Sequence, residues 1–325
     1  MKFEIINFPL NLVTKISGSS IGVLTSDGAL VDCHIKGNLR LAGIRSTNPV
    51  AVGDHVCIEQ QPDGTTWITS VLPRRNYIIR RSTNLSKESH ILAANIDQVA
   101  LLVTINHPPT STTFIDRFLA TCEAYSVPAM LVFNKTDLMD ASDMATLNRW
   151  MELYTSLGYR TVALSALCGD IDAVRRELTG KITLLSGNSG VGKSTLLNAI
   201  FGAEVTRTAE ISHVHDTGMH TTTFSQMYFL PAAARETSDS AHVFPGALID
   251  TPGIKGFGTL DMQKEEVGHY FREIFALSRS CRYSNCLHGG EPGCAVLPEV
   301  GKSIAPSRFD SYLSILTDIG ESKYR

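Results

Sequence analysis

The chain has 325 residues, of which 43% are hydrophobic and 19% charged, and its net charge at pH 7 is −3. This composition is that of a globular protein with two or three domains, and it excludes binding to nucleic acid through overall positive charge. The longest apolar runs, VALLVTI and AMLVF, are too short to cross a bilayer, and Glu4, Asn7 and Pro9 interrupt the N-terminal stretch. We therefore expect a cytoplasmic protein.

Residues 10–72 contain short alternating runs separated by Asp-Gly turns: SIGVLTS, GALVDCHI, HVCIEQ and TWITSVL. Such runs are typical of short β-strands, so this part is predicted to be a small all-β unit. The pattern does not distinguish a barrel from a sandwich. The basic run PRRNYIIRR follows, and residues 76–96 are predicted to be a polar linker.

From residue 97 the pattern alternates between strand and helix. The predicted strands are QVALLVTI, AMLVFNKTD, RTVALSA and KITLLSG, and the predicted helices are TTFIDRFLATCEAYSV, MATLNRWMELYTSLG, IDAVRREL and KSTLLNAIFG. This alternation predicts a mostly parallel sheet with helices on both faces. The strands SQMYFLPA and GALIDTPG come next, and after residue 263 the helices KEEVGHYFREIFALSR and SRFDSYLSILTDI are predicted.

A glycine-rich stretch between a predicted strand and a predicted helix fits the phosphate-binding pattern G-x-x-x-x-G-K-[ST]. Backbone N–H groups of such a loop, together with the helix N-terminus, bind phosphate oxygens. Lys193 is predicted to bridge the β- and γ-phosphates, and Ser194 to bind Mg²⁺. The whole loop comprises Gly187, Asn188, Ser189, Gly190, Val191, Gly192, Lys193, Ser194 and Thr195.

The loop after AMLVF is predicted to select the base, and it comprises Asn134, Lys135, Thr136 and Asp137. The carboxylate of Asp137 can accept hydrogen bonds from N1–H and the 2-amino group of guanine. Adenine has neither donor, so a site built on this pair discriminates against it. Ser165 and Ala166, after the next strand, are predicted to close over the guanine edge.

Two further stretches, LIDTPG and HTTTF, supply the remaining parts of a GTPase. Asp250 is predicted to contact Mg²⁺ indirectly and the Gly253 N–H to contact the γ-phosphate. Thr222 is the first choice for the Mg²⁺ and γ-phosphate contact, with Thr221 and Thr223 as alternatives. The base-selecting loop precedes the phosphate loop, the reverse of an ordinary guanine-nucleotide switch. This order indicates a circular permutation, which a doubly wound sheet tolerates because its chain ends lie close together.

The catalytic residues are predicted to be His220, Lys193 and Thr222. Ile254 follows the Asp-Thr-Pro-Gly run, where familiar switches have a glutamine that orients water, so slow intrinsic hydrolysis is predicted. His220 is the best candidate for positioning or deprotonating the water, the alternative being a surface or packing histidine. His213 and His215 are assigned to a polar loop rather than to a metal site.

Three cysteines and a histidine cluster in CRYSNCLHGGEPGC: Cys281, Cys286, His288 and Cys294. Three thiolates and one imidazole form a closed tetrahedral set, which predicts structural Zn²⁺ rather than catalytic zinc with its open position. The chain has 7 cysteines, and this odd number argues against a disulfide framework. The scattered ones are predicted to be small buried hydrophobes: Cys33, Cys57, Cys122 and Cys168.

Together these motifs resemble the RsgA/YjeQ family of circularly permuted GTPases, which act on the bacterial small ribosomal subunit. The resemblance covers nearly the whole chain: AANIDQV, FIDRFL, FNKTDL, GNSGVGKST, HTTT, DTPG and the cysteine cluster. It implies an N-terminal OB-fold barrel, a zinc site at the cluster and GTP hydrolysis stimulated by the small subunit. Met219 departs from the family, which often has a basic residue before the His-Thr-Thr-Thr run.

The sequence therefore predicts a multidomain α/β protein. Its parts are an OB-fold RNA-binding domain at 1–75, a linker at 76–96, a circularly permuted P-loop GTPase domain at 97–262 and a helical zinc-binding domain at 263–325. The expected activity is Mg²⁺-dependent hydrolysis of GTP that assists late maturation of the 30S subunit, with one structural Zn²⁺. The barrel and PRRNYIIRR are expected to contact 16S rRNA through phosphate contacts and stacking, by a monomer with no membrane partner.

Two other functions compete with this one. The first is a GTP-gated checkpoint module that binds the 30S subunit and rRNA, in which hydrolysis only resets binding, and Ile254 favours it. The second is a small-molecule kinase that uses the same phosphate loop. Asp137 disfavours the kinase, because it predicts guanine rather than adenine as the base.

Overall fold

A computed structural model describes residues 10–18, 20–35, 49–81, 89–202, 225–231, 244–250 and 262–322. No helix within these ranges combines the length and the apolar character that a membrane span requires.

Five strands form a closed barrel near the N-terminus: β1 (Asn11–Ser17), β2 (Ser20–Leu24), β3 (Leu30–Ile35), β4 (His55–Gln60) and β5 (Thr66–Val71). Neighbours run in the order β1-β2-β3-β5-β4, and β4 pairs again with β1. Only the β3–β5 pair is parallel among these pairings. This arrangement is that of the OB fold, so the barrel is confirmed and the sandwich is excluded.

The pattern of residues 10–72 missed strand β1. The ladder between β1 and β2 has an irregularity between Val13 and Lys15, and Leu12, Val13 and Thr14 are buried in succession. A bulge of this kind breaks the alternation that marks a strand in a sequence.

Residues 76–96, for which a linker is predicted, hold an antiparallel pair of strands, β6 (Tyr77–Arg81) and β7 (Ser89–Ala94). Three residues of this pair, Ile78, Leu92 and Ala93, are buried in the same apolar cluster as residues of the parallel sheet that follows in the chain. The pair is therefore packed against the next unit. The polar residues within this segment concealed its two short apolar runs in the sequence.

Six strands continue the chain: β8 (Gln98–Val103), β9 (Ala129–Phe133), β10 (Arg160–Ala163), β11 (Ile182–Gly187), β12 (Ser225–Phe229) and β13 (Ala247–Asp250). They run in the order β10-β9-β8-β11-β13-β12, and only β12 is antiparallel to its neighbour within this group. Strands β8 and β11 are buried at every residue, as expected for a parallel sheet covered on both faces.

The helices between these strands are α1 (Thr112–Ala124), α2 (Ala141–Ser156), α3 (Asp172–Leu178) and α4 (Lys193–Phe201). One buried cluster contains Leu101 and Phe118, and the other contains Leu102 and Leu196. Because Leu101 and Leu102 are adjacent in a strand, they point to opposite faces, and the sheet has a core on each side. The predicted α/β architecture is thus confirmed.

The barrel continues the parallel sheet without a break. Strand β1 pairs with the edge strand β12, with Lys15 opposite Gln226 and Ile16 opposite Ser225. The two units therefore share one sheet of 11 strands.

The C-terminal region contains α5 (Lys264–Val267), α6 (Arg272–Ser278) and α7 (Pro306–Ser322). The prediction of a single helix over KEEVGHYFREIFALSR is wrong, because a 3₁₀ turn at Gly268–Tyr270 and an extended Phe271 (φ −112°, ψ 103°) separate α5 from α6. Val267, Phe271 and Tyr312 are among the buried residues of a core that this region shares with Ala120 of α1.

Candidate nucleotide site and metal centre

The glycine-rich loop joins β11 to α4, and two of its glycines are required by close packing. Gly192 has φ +99°, and a Cβ there would lie 2.3 Å from Nδ2 of Asn134. Gly187 has φ +149°, and a Cβ there would lie 2.6 Å from the carbonyl oxygen of Leu102. Side chains at these positions would clash with Asn134 and with strand β8, so the close approach depends on glycine.

Lys193 is held against this loop by hydrogen bonds to the backbone of the loop. Its Nζ donates to the carbonyl oxygens of Gly187 and Asn188, at 2.5 and 2.8 Å. Burial lowers the pKa of the Lys193 amine, while the nearby Asp250 carboxylate acts in the opposite direction. The amine is thus placed at the start of α4, beside the loop that is predicted to bind phosphate.

Asn134 connects the predicted base-selecting loop to two other loops. The side chain is 2% exposed, its Nδ2 donates to the carbonyl of Val191 at 2.9 Å, and its Oδ1 accepts from the Ala166 N–H at 3.0 Å. Lys135 adds a second link, because its Nζ donates to the carbonyl of Gly190 at 2.7 Å. The geometry therefore brings the two predicted loops together.

Asp137 lies at the exposed edge of this cluster. Its Oδ1 accepts a hydrogen bond from Ser165 Oγ at 2.5 Å, and Ser165 Oγ accepts from the Cys168 N–H at 3.2 Å. The Thr136 N–H donates to the carbonyl of Leu164 at 3.3 Å. Ser165 thus fixes the orientation of the carboxylate that is predicted to contact the base.

Asp250 ends strand β13, directly opposite Leu185 of β11. The Asp250 carboxylate interacts electrostatically with Lys193 and with Tyr228. Burial and this carboxylate raise the pKa of Tyr228 to about 12. The other predicted contacts of this region lie outside the described residues, as do the neighbouring positions discussed with them: Thr222, Thr221, Thr223, His220, Met219, His213, His215, Gly253 and Ile254.

The loop that follows β8 also contacts the two predicted loops, and the sequence did not predict this contact. Lys135 Nζ also donates to the carbonyl of His107 at 2.5 Å, and a Cβ at Gly190 would lie 3.3 Å from Cδ of Pro108. The position of HPPT in the sequence could have indicated this contact, since HPPT follows a buried strand at the same sheet edge as the other loops.

The three cysteines and the histidine of the C-terminal cluster come together as predicted. The ligand atoms of Cys281, Cys286, His288 and Cys294 all lie within 4.8 Å of one another. Nδ1 of His288 is 3.7 Å from Sγ of Cys281 and 3.5 Å from Sγ of Cys294. A tetrahedral ion with ligand distances of about 2.0 and 2.3 Å needs a nitrogen–sulfur separation of about 3.5 Å. The four residues therefore fit a metal ion.

Backbone N–H donors favour thiolates in the cluster, whereas burial opposes them. Backbone N–H groups of Ala295 and Leu297 donate to Sγ of Cys281 and Cys294, at 3.3 and 3.4 Å. Burial, together with the neighbouring thiols, raises the pKa of Cys286 to about 12. Several thiolates at this place require a positive charge between them, which a metal ion supplies.

The fold and the site define a P-loop nucleotide-binding protein with a permuted strand order. A family model described as RsgA GTPase matches residues 71–260. A relative from Bacteroides fragilis, named small ribosomal subunit biogenesis GTPase RsgA, is 56% identical over 316 residues, which is 97% of this chain and 98% of that protein. The chain belongs to the RsgA GTPase family, and it is a GTP hydrolase.

Two solved structures are similar over nearly the whole chain. YjeQ from Thermotoga maritima is 32% identical with a TM-score of 0.73, covering 95% of this chain and 97% of that one. YloQ, described as a circularly permuted GTPase, is 27% identical with a TM-score of 0.70, covering 97% and 96%. The circular permutation predicted from the motif order is thereby confirmed.

Proposed function

We propose that this protein binds the 30S ribosomal subunit, assists its late maturation, and hydrolyses GTP when the subunit stimulates it. The observation that carries the proposal is 56% identity over 97% of the chain to a protein named for biogenesis of the small ribosomal subunit. The cytoplasm is the expected location, and 16S rRNA the expected contact. We expect a monomer without a membrane partner.

The nucleotide roles are proposed as follows. Asp137, which Ser165 orients, contacts the guanine edge. The hydrogen bond between Ala166 and Asn134 holds the loop after β10 against the loop after β9. The N–H groups of residues 187–195 bind the phosphates, and Lys193 neutralises charge that develops on them. Mg²⁺ would be held by Ser194 and Thr222, with Asp250 acting indirectly, and would screen the charge of the phosphate oxygens.

The water-activating group is proposed to be His220. The sequence places it beside the Thr221–Thr223 run, and an imidazole can accept a proton near neutral pH. Since Ile254 has no polar group, hydrolysis by the protein alone is expected to be slow.

Zn²⁺ is the metal proposed for Cys281, Cys286, His288 and Cys294. Three thiolates and an imidazole leave no ligand position open, so its role is structural. The boundaries proposed for the units are 1–75 for the barrel, 76–96 for the connecting segment, 97–262 for the GTPase and 263–325 for the metal-binding unit.

GTP hydrolysis by the purified protein, measured alone and with purified 30S subunits, tests the proposal. ATP and 50S subunits serve as controls. Slow turnover that rises strongly only with GTP and 30S subunits is expected. A rate that 30S subunits do not change would contradict the ribosomal part of the proposal and leave the nucleotide site intact.

A GTP-gated checkpoint module is the second candidate, and Ile254 is the observation that favours it. In this case GTP sets the affinity for the subunit and hydrolysis only resets binding. The two candidates differ in the outcome for His220→Ala. If this variant hydrolyses no GTP yet supports maturation of 30S subunits in cells, the module is correct.

A further inference from the structure

A groove of about 460 Å³ lies where the barrel meets the GTPase sheet. Residues of β1, β2, β3 and β12 line it, together with Phe201 at the end of α4. The volume is within the ~300–1,000 Å³ typical of ligand pockets. No role for this groove follows from the nucleotide site or the metal centre.

Aromatic and apolar side chains line part of the groove. The rings of Phe201 and Tyr228 have centroids 5.8 Å apart, and Leu30 of β3, which also lines the groove, is 54% exposed. Gly22 of β2 also lines the groove and has no side chain, and a Cβ there would come within 3.3 Å of Cβ of Lys15. Partly exposed rings beside open space suit a planar base, which binds by stacking.

Charged groups of opposite sign stand at separate places in the groove. Lys15 and Asp32 are both exposed, and both pair with Gly22 from opposite sides in the sheet. They are therefore two strand spacings apart, about 10 Å. Lys15 attracts a phosphate, whereas Asp32 repels one and accepts N–H donors. Ser20 Oγ donates to Oδ1 of Asp32 at 3.1 Å and helps to orient it.

This pattern fits an RNA nucleotide with a particular base. Guanine presents two N–H donors, N1–H and the 2-amino group, to one carboxylate, whereas adenine presents a single amino group on that edge. Single-stranded RNA exposes such an edge while the base stacks on aromatic side chains. Gln226, also in the groove, offers both a donor and an acceptor.

The groove is connected to the nucleotide site by a row of paired residues. Asp32, Gly22, Lys15, Gln226 and Asp250 face one another in turn across β3, β2, β1, β12 and β13. Directly paired residues point to the same face of a sheet. A ligand that shifts Gln226 thus acts next to Asp250, at the loop edge of the GTPase.

We propose that this groove binds an unpaired guanine of RNA, and that its occupancy stimulates GTP hydrolysis through β12. The base stacks on Phe201 and Tyr228 and donates to Asp32, and the phosphate lies at Lys15. The proposal rests on the proposed function, because the RNA is taken to be that of the small subunit.

Binding of labelled single-stranded RNA pentamers, UUGUU and UUAUU, to the full chain tests the first part by fluorescence anisotropy. The wild type is expected to prefer UUGUU by about tenfold, as for a good bidentate base contact. Asp32→Asn should abolish this preference although it removes a negative charge, and Tyr228→Leu should weaken both RNAs. Glu59→Gln makes the same charge change on β4, outside the groove, and should keep the preference. Equal binding of both RNAs by the wild type, or an unchanged preference in Asp32→Asn, overturns the proposal.

Stimulation by 30S subunits tests the second part. Asp32→Asn and Lys15→Ala should keep the basal rate of GTP hydrolysis and lose most of the stimulation, while Glu59→Gln keeps both. Full stimulation of the two groove variants overturns the coupling and leaves the proposed function standing. Absence of stimulation in the wild type contradicts the proposed function instead, and the pentamer measurement then still decides whether the groove binds guanine.

Discussion

The phosphate loop can approach the predicted base-selecting loop closely at Gly192, because glycine has no side chain. We predict that Gly192→Ala lowers the free energy of unfolding by roughly 2–4 kcal/mol, because of backbone strain and a clash with Asn134. Gly64→Ala, in the turn between β4 and β5, is the matched control, since it has φ +85° with nothing within 4 Å of its Cβ. It should cost only the strain, about 1 kcal/mol. Equal losses in urea denaturation would show that the contact with Asn134 is unimportant.

Asp137 carries the proposed choice of base, so its replacement should change the base rather than abolish binding. In Asp137→Asn the amide cannot accept from both guanine donors, but it can donate to the 2-oxygen of xanthine. We predict a loss of GTP affinity of about 100-fold or more and a gain for XTP, measured by competition with a fluorescent nucleotide. Asp140→Asn, at the cap of the next helix, should leave the preference for GTP unchanged. Unchanged GTP affinity in Asp137→Asn would contradict the assignment.

A buried ion-pair network attaches the C-terminal helices to the GTPase unit. Arg308 of α7 donates to Glu273 of α6 at 2.7 Å and to Asp116 of α1 at 2.9 Å, and Tyr154 of α2 also donates to Asp116 at 2.9 Å. The side chains of Arg308 and Asp116 are 1% and 0% exposed. Burial raises the pKa of the Asp116 carboxyl, against the lowering effect of Arg308. Four helices thus meet at this network.

Removing one partner of the network leaves a buried charge without compensation. We predict that Arg308→Met lowers the free energy of unfolding by about 3–5 kcal/mol. Urea denaturation monitored by tryptophan fluorescence measures this loss. The control is Arg160→Met, whose partner Glu177 is a surface residue and whose own side chain is 51% exposed. It should cost less than about 1 kcal/mol. Similar losses in both variants would mean that the network contributes no more than a surface pair.

The metal-binding cluster is predicted to hold the irregular segment between α6 and α7, residues 279–305, in place. Metal analysis should give one zinc ion per chain, and a strong chelator should make residues 281–294 sensitive to limited proteolysis. Cys286→Ser should reproduce this effect without chelator, because it removes one of the four ligands. Cys57 and Cys168 are exposed, so the prediction that they are buried is wrong, whereas Cys33 and Cys122 are buried as predicted. Cys57→Ser is therefore the control and should change neither zinc content nor proteolysis. A chelated protein that stays resistant would refute a structural role.

The sequence predicted best those elements whose pattern is local. Strands β8 and β11 are continuous apolar runs, and the loops after β9 and β11 carry their own residue spacing, so the loops are brought together as predicted. Three features depended on contacts distant in sequence and were not predicted. They are strand β1 with its bulge, the paired strands at 76–96, and the break at Gly268, which lies against His288 and Tyr312. Arg308 illustrates the same limit, because its partner Asp116 is far away in the chain.

The barrel and the GTPase unit share one core. Leu12, Leu24 and Val52 of the N-terminal unit belong to the same buried cluster as Ile182 and Ile249 of the parallel sheet. The shared ladder between β1 and β12 adds backbone hydrogen bonds across the boundary. Such continuity predicts that the two units open together and that the barrel responds to a ligand of the GTPase unit.

Hydrogen exchange of backbone amides, with and without GDP, tests this prediction. A ligand at 100 times its Kd stabilises the folded state by about 2.7 kcal/mol, and amides that exchange only through joint opening acquire that protection. We expect the amides of β1 and β2 to slow together with those of β11 and β13 when GDP is added. Amides of the turn at 62–65, which is exposed at the far end of β4 and β5, serve as the internal control and should not change. Protection confined to residues 97–250 would show that the barrel opens independently, and the route from the groove to Asp250 would then lack its rigid support.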